Sequence, residues 1–197
     1  MKDQDILKAV APLTRAFERL GVSYYIGGSV ASSAYGKARA TMDVDCVSDL
    51  TLAHIKSFVE ILKNEFYVDE DMIREAVTNR SSFNLIHLET MLKADVFSVK
   101  SRPYDREALQ RRKKDTLDDE DGAVEVYLAS PEDVILSKLD WFDQGGRGSE
   151  KQWNDILGVL KVQEGRLDLD YLKRWANQLN LLDLLHKALL QAETPDQ

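Results

Sequence analysis

The chain of 197 residues sets 26 Lys and Arg against 34 Asp and Glu, a formal charge of −8. That balance speaks against broad binding to long nucleic acid, which rests on clustered cations neutralising phosphates. With 44% hydrophobic residues the composition is that of a globular protein, and no run of 18 apolar residues is present to make a membrane-spanning helix.

The opening residues Met1-Lys2-Asp3-Gln4-Asp5 contain no apolar leader core, and a single cysteine, Cys46, cannot form an internal disulfide. Both point to a cytoplasmic setting. Ile6, Leu7, Val10, Leu13, Phe17 and Leu20 recur at three- and four-residue spacing, which predicts a helix over 4–20, kinked or restarted at Pro12. Gly21 is a natural helix stop, and residues 22–26 read as a strand. A short helix is expected from Val30 to Tyr35, then a basic loop, Lys37-Ala38-Arg39-Ala40. Residues 41–47 alternate as a strand, and residues 52–62 and 69–77 read as helices. Strands are expected over 82–88 and 93–99, joined by a hairpin across Glu89-Thr90-Met91. Residues 104–112 read as a helix, and 116–117 with 124–128 as a strand pair around the acidic turn Asp118-Asp119-Glu120-Asp121-Gly122. Beyond residue 128 no strand signal remains. Ser130-Pro131-Glu132-Asp133 opens a helix, with Ser as cap, Pro in the first turn and acids against the dipole. Helices over 151–162, 169–179 and 181–192 follow. The pattern is α/β (α+β): a short mixed sheet flanked by helices over 1–128, then an all-helical part over 129–197.

Two stretches carry chemistry. In Tyr24-Tyr25-Ile26-Gly27-Gly28-Ser29 a strand runs into two glycines and a helix start, where backbone N–H groups and the missing side chains suit a phosphate. Ser29 fits there as helix cap or phosphate ligand. In Asp43-Val44-Asp45 the period of two puts both carboxylates on one strand face, their Cα atoms ~6–7 Å apart. Hard carboxylate oxygens at that spacing suit Mg²⁺ or Mn²⁺.

Gly27-Gly28-Ser29, then Asp43-Val44-Asp45, then the lone strand Asp95 in Ala94-Asp95-Val96-Phe97 resembles the nucleotidyltransferase superfamily of the DNA polymerase β type. The resemblance implies transfer of a nucleotidyl group from an NTP to an acceptor, with Asp43, Asp45 and Asp95 catalytic and metal-binding. Asp95 would bind a second cation or act as base. Gly27, Gly28 and Ser29 would hold phosphates. Arg39 and Thr41, in Arg-x-Thr-x-Asp-x-Asp, resemble a subgroup of small bacterial members, and Arg suits charge developing on a transferred group; Lys37 is a lesser candidate.

The helical half, from Ser130 through Lys138 to Lys151-Gln152-Trp153-Asn154-Asp155, resembles abortive-infection nucleotidyltransferase toxins and their uncharacterised relatives. There a helical Lys and a downstream acid face the nucleotide, which makes Lys138 a phosphate contact and Asp155 its orienting acid, although Gln152-Trp153 departs from the Lys-Asp usual in those relatives. Asp155 otherwise reads as a helix-surface charge, and Arg147 is a remote candidate. The resemblance implies an acceptor that is a small molecule, a tRNA or a protein, and, for a toxin, a cognate antitoxin partner.

Other features have plainer readings. Arg106, Arg111, Arg112, Lys113 and Lys114 read as a solvated helix face, and as the best local contact for RNA or an acidic protein. The scattered His54, His87 and His186 give no zinc pattern, while Trp141, Trp153 and Trp175 read as core. The competing expectation for the whole chain is a catalytically degenerate nucleotide- or partner-binding protein on the same fold.

Overall fold

The computed structural model describes residues 3–41, 43–119 and 122–194. The expectations placed on Met42, on Glu120 and Asp121, and on residues 195–197 lie outside them. The chain divides into two compact units, Met1–Gly27 with Ala40–Leu128 and Gly28–Arg39 with Ala129–Gln197. One crossing falls at residue 128. Residues 28–39, which a single boundary there leaves with the sheet, group instead with the C-terminal helices.

In the first unit α1 (Asp3–Leu20) runs unbroken through Pro12. Proline inside a helix costs roughly 3 kcal/mol, and the neighbouring Val10, Leu13 and Phe17, each at most 1% exposed, offset it by burial. Gly21, at φ +66°, ends the helix with Val22 N–H on Phe17 O and Gly21 N–H on Glu18 O, the double closure that a left-handed glycine permits.

The strands are β1 (Tyr24–Ile26), β2 (Asp43–Ser48), β3 (Phe66–Tyr67), β4 (Ser82–His87), β5 (Lys93–Ser98), β6 (Lys113–Asp119) and β7 (Gly122–Leu128), in the order β3-β4-β5-β2-β1-β7-β6. Pairing is antiparallel except for β1 with β7 and β2 with β5. The helices between them are α3 (Ile55–Leu62), α4 (Glu70–Asn79) and α5 (Pro103–Gln110).

Three differences from the sequence reading stand out. The two-residue β3 has no sequence signal of its own. α3 starts three residues late, because Thr51 and His54 close a turn on each other's side chains and leave Leu52 exposed. α5 stops at Gln110, so Lys113 and Lys114 lie on β6 rather than on a helix face.

One sheet face is dry. Tyr24, Ile26, Val44, Cys46, Phe83, Leu85, Ala94 and Val96 are each no more than 3% exposed. Phe17 of α1 stacks on Tyr24 at 5.3 Å and on Phe58 of α3 at 5.2 Å, and Phe58 meets Phe83 edge-on. The alternate residues Asp43, Asp45, Val47, Asp95 and Phe97 are half-buried on the other face.

The second unit holds α2 (Gly28–Tyr35), α6 (Pro131–Gln144), α7 (Glu150–Val162), α8 (Leu169–Gln178) and α9 (Leu182–Glu193). Ser130 caps α6, its Oγ accepting Asp133 N–H at 3.1 Å. The first-turn acids are buried and engaged: Glu132 accepts Asp168 N–H, and Asp133 accepts the Tyr171 and Ser130 hydroxyls. Trp175 is core, but Trp141 is 52% exposed, contrary to the apolar-stripe reading. Trp153 is half-buried, packed on Phe142 and donating Nε1–H to Gln191. Where α2 ends, a Cβ on Gly36 would meet Ser32 O and Val159 N at 2.9 Å, so only glycine lets this backbone approach α7 so closely.

Candidate active site

The carboxylates come together through sheet register. β2 and β5 are parallel neighbours, with Asp45 opposite Asp95 and Asp43 opposite Lys93. All four side chains share one face by parity. Thr41 donates its hydroxyl to Asp43 Oδ1 at 2.7 Å, and Lys93 Nζ lies 2.6 Å from Asp95 Oδ2. The Lys93 ammonium is held above its ordinary pKa, chiefly by the hydrogen bond to Asp95 and further by the charges of Asp95, Asp43 and Asp45. It is thus a cation already sitting in the shared field of three carboxylates.

Those carboxylates fit a hard divalent cation by donor type, and the Lys93–Asp95 contact places one positive charge beside them. They do not form a ready cage: among the described residues, no three His, Cys, Asp or Glu groups gather to hold a metal. Mg²⁺ is commonly bound through one or two carboxylates completed by substrate phosphates and water, so a cage is not required.

The second unit gathers a separate polar cluster. Arg39 makes a two-pronged contact with Asp155, Nε to Oδ1 and Nη2 to Oδ2, both at 2.8 Å. Lys138 Nζ reaches Asp155 Oδ2 at 2.8 Å, and Arg39 also donates to Ser29 Oγ. The Lys138 and Asp155 side chains are each 8% exposed. Burial alone would raise the Asp155 carboxyl, but the hydrogen bonds and charges of Arg39 and Lys138 outweigh it and hold the group below the usual range. Asp155 is therefore the centre of this cluster rather than a helix-surface charge. It is held there by the α2–α7 approach at Gly36 and by Gly158, whose Cβ would lie 3.4 Å from Lys37 N.

The glycine turn behaves in part as read. Gly28 sits at φ +53°, a region that favours glycine. Ser29 lies inside α2 rather than capping it, 9% exposed and engaged by Arg39. Gly27 N–H is committed to Asp45 O at 2.9 Å, so it is not a free phosphate donor. Arg147, in the turn after α6, pairs with Asp143 near the end of that helix. Lys93 is the residue that sequence reasoning passed over; its signal was its alternation with Asp95.

No protein-family model matches the sequence, and no curated protein matches it; the likenesses are structural. The solved structure of an antigenic nucleotidyltransferase-like protein from Paracoccidioides brasiliensis is 21% identical, covers 93% of this chain and 91% of its own, and aligns with a TM-score of 0.52. The antibiotic-resistance factor ANT(2'')-Ia is 14% identical, covers 94% of this chain and 99% of its own, and aligns at 0.56. Among the described residues no helix is long and apolar enough to cross a membrane. These alignments, with the mixed seven-stranded sheet and its flanking helices, give the chain a nucleotidyltransferase-like fold.

Proposed function

We propose that the chain transfers a nucleotidyl group from an NTP to an acceptor hydroxyl in a reaction dependent on Mg²⁺ or Mn²⁺. The observation that carries the reading is the register of Asp45 against Asp95 with Asp43 on the same face, a carboxylate field that already holds a cation, Lys93. A bound divalent ion would supply charge neutralisation on the triphosphate. Asp43, Asp45 and Asp95 are the residues that would offer it oxygen ligands, with substrate phosphates and water completing the shell. Asp95, once released from Lys93, accepts the proton of the acceptor hydroxyl while the acceptor oxygen bonds to the α-phosphorus and pyrophosphate leaves. Gly28 and Ser29 make room and a hydroxyl for phosphate oxygens. Arg39 and Lys138 are the cations for those oxygens, with Asp155 as their partner when no nucleotide is bound. Catalysis in this scheme is positioning and electrostatics, with no covalent step on the protein.

The likeness to an antibiotic-resistance factor makes a small hydroxylated molecule the first acceptor to try, ahead of tRNA or protein. A protein or tRNA target would fit a toxin restrained by an antitoxin. NTP use fits a cytoplasmic protein. The second reading, a catalytically degenerate nucleotide- or partner-binding protein, is favoured by one observation: Asp95 and Lys138 each have an internal counter-charge.

The test is thermal unfolding with Mg²⁺ and each NTP, comparing wild type with Asp43→Asn/Asp45→Asn. A nucleotide at 100 times its dissociation constant adds about 2.7 kcal/mol, or ~5–10 °C for a chain of this size. The rise should vanish in the double variant, and pyrophosphate release should accompany an acceptor. A rise without pyrophosphate across small-molecule, tRNA and protein acceptors selects the degenerate reading. No rise with any nucleotide removes both.

A further inference from the structure

A cavity of about 570 Å³ opens at the carboxyl ends of β2 and β5, entirely within the first unit. Ser48 and Ser98, the last residues of those strands and partners in register, form part of its wall. Asp45 and Asp95 lie three residues earlier, ~10 Å along the strands, and their odd parity puts them on the opposite sheet face. The cavity therefore lies apart from the carboxylate face, and the proposal of a ligand there does not rest on nucleotidyl transfer.

Its lining is basic in an acidic protein. Arg80, Arg106 and Arg112 border it against one acid, Asp49, whose Oδ1 is committed to Ser23 N–H at 2.8 Å. Two of the arginines are anchored by a single backbone bond each, Arg80 Nη1 to Val99 O at 3.2 Å and Arg112 Nη1 to Leu109 O at 2.7 Å. A guanidinium has five N–H donors, so most of theirs remain for something else. Arg112 is further braced over the Tyr127 ring at 4.8 Å, yet its Nε is buried without a partner. Arg106 makes no ion pair among the described residues.

The hydroxyl is the independent sign. Ser48 is 1% exposed and its Oγ has no hydrogen-bond partner, an arrangement that is costly unless a ligand or water satisfies it. Three arginines bordering one cavity suit an anion, and a phosphate, with more oxygens and charge than a carboxylate, accepts from more directions at once. The remaining wall mixes apolar side chains, Val77 and Leu109 among them, with Ser23, Thr51, Ser98 and Gln110, and the volume falls in the range of sites for small organic ligands.

We propose that this cavity is a second ligand site that takes a small organic phosphate, its phosphoryl group held by Arg80, Arg106, Arg112 and the Ser48 hydroxyl and its apolar part against Val77 and Leu109. The probes are phenyl phosphate, inorganic phosphate and benzoate, titrated into the full chain in EDTA at constant ionic strength and followed by backbone amide resonances. Saturable shifts at Ser48, Ser98 and Val99 are expected, tighter for phenyl phosphate than for either other probe. Arg106→Gln, an exposed position that should not disturb folding, should weaken phenyl phosphate on the order of tenfold or more, and Lys114→Gln, outside the cavity, should not. Ser48→Ala should weaken it without lowering the melting temperature, since that hydroxyl bonds to nothing in the protein. Equal affinity for benzoate, shifts confined to Ser29 and Lys138, or indifference to Arg106→Gln would each overturn the proposal; in the last case the arginines serve only to tie down Leu109 and Val99.

Discussion

Asp155→Ala removes a carboxylate that pairs with two cations, Arg39 and Lys138. Lys138, with its side chain 8% exposed, cannot reach water without repacking α6, whereas Arg39 at 24% can turn outward. Breaking a buried ion pair by deleting one partner costs roughly 3–5 kcal/mol, because the other charge is left desolvated. For a chain of this length that is a fall of ~6–20 °C in melting temperature. Lys138→Met should cost less, about 1.5–3 kcal/mol for a charge-assisted hydrogen bond, since Asp155 keeps both contacts with Arg39 and methionine fills the lysine stem. The double variant should fall short of the sum by ~1–3 kcal/mol. Urea unfolding at fixed m-value measures all three. The pH dependence follows from the lowered Asp155 pKa. A carboxyl held below its unfolded value, about 3.9, contributes its full stabilisation above that pH and loses it as pH falls through the lower folded value. The gap between wild type and Asp155→Ala should therefore stay constant from neutrality to about pH 4 and close only below it. A cost under about 1 kcal/mol at neutral pH, or a gap that narrows well above pH 4, would refute the reasoning.

Two further expectations are independent of the charges. Gly36→Ala should cost about 1–3 kcal/mol, because the new Cβ meets backbone atoms at 2.9 Å that cannot swing aside; Gly148→Ala, with open space around it, should stay within about 0.5 kcal/mol. Cys46 is fully buried, and burial, aided by the Asp45 charge, pushes its thiol pKa up. It should resist alkylation at pH 8 in the native protein and react on unfolding, since the thiolate is the nucleophile; rapid native labelling would show the strand to open.

The face of the carboxylates was legible because strand parity is local: Val44 and Cys46 need the core, so Asp43 and Asp45 must leave it. The same logic with Ala94 and Val96 orients Asp95. Which strands are neighbours was not legible, since Asp45 and Asp95 lie fifty residues apart and meet through a crossover that includes β3, a strand too short to announce itself. Pro12 misled for the converse reason, tertiary burial overriding a local penalty. Asp155 is the sharper case. Its helix position reads as a surface, and only the approach of α2 to α7 at Gly36 makes it an interior; the 116 residues separating it from Arg39 hide that from any window-based reading. The cavity at Ser48 was invisible as well, because arginines from α4's end, α5 and the approach to β6 read singly as solvated charges.

Two of these charges have a partner within their own unit, Asp95 in Lys93 and Lys138 in Asp155. In the nucleotidyl-transfer scheme an incoming cation must displace an ammonium that three carboxylates favour, and an incoming triphosphate must draw Lys138 and Arg39 from a carboxylate whose affinity for them is already expressed in its lowered pKa. Neither ligand meets an empty field. A metal without a nucleotide leaves Lys138 paired as before, and a nucleotide without a metal brings several negative charges to a chain that already carries −8. A nucleotide supplied with its divalent ion brings both signs. In that scheme the internal pairs oppose each ligand supplied alone, which is the physical reason to screen nucleotides together with the divalent ion.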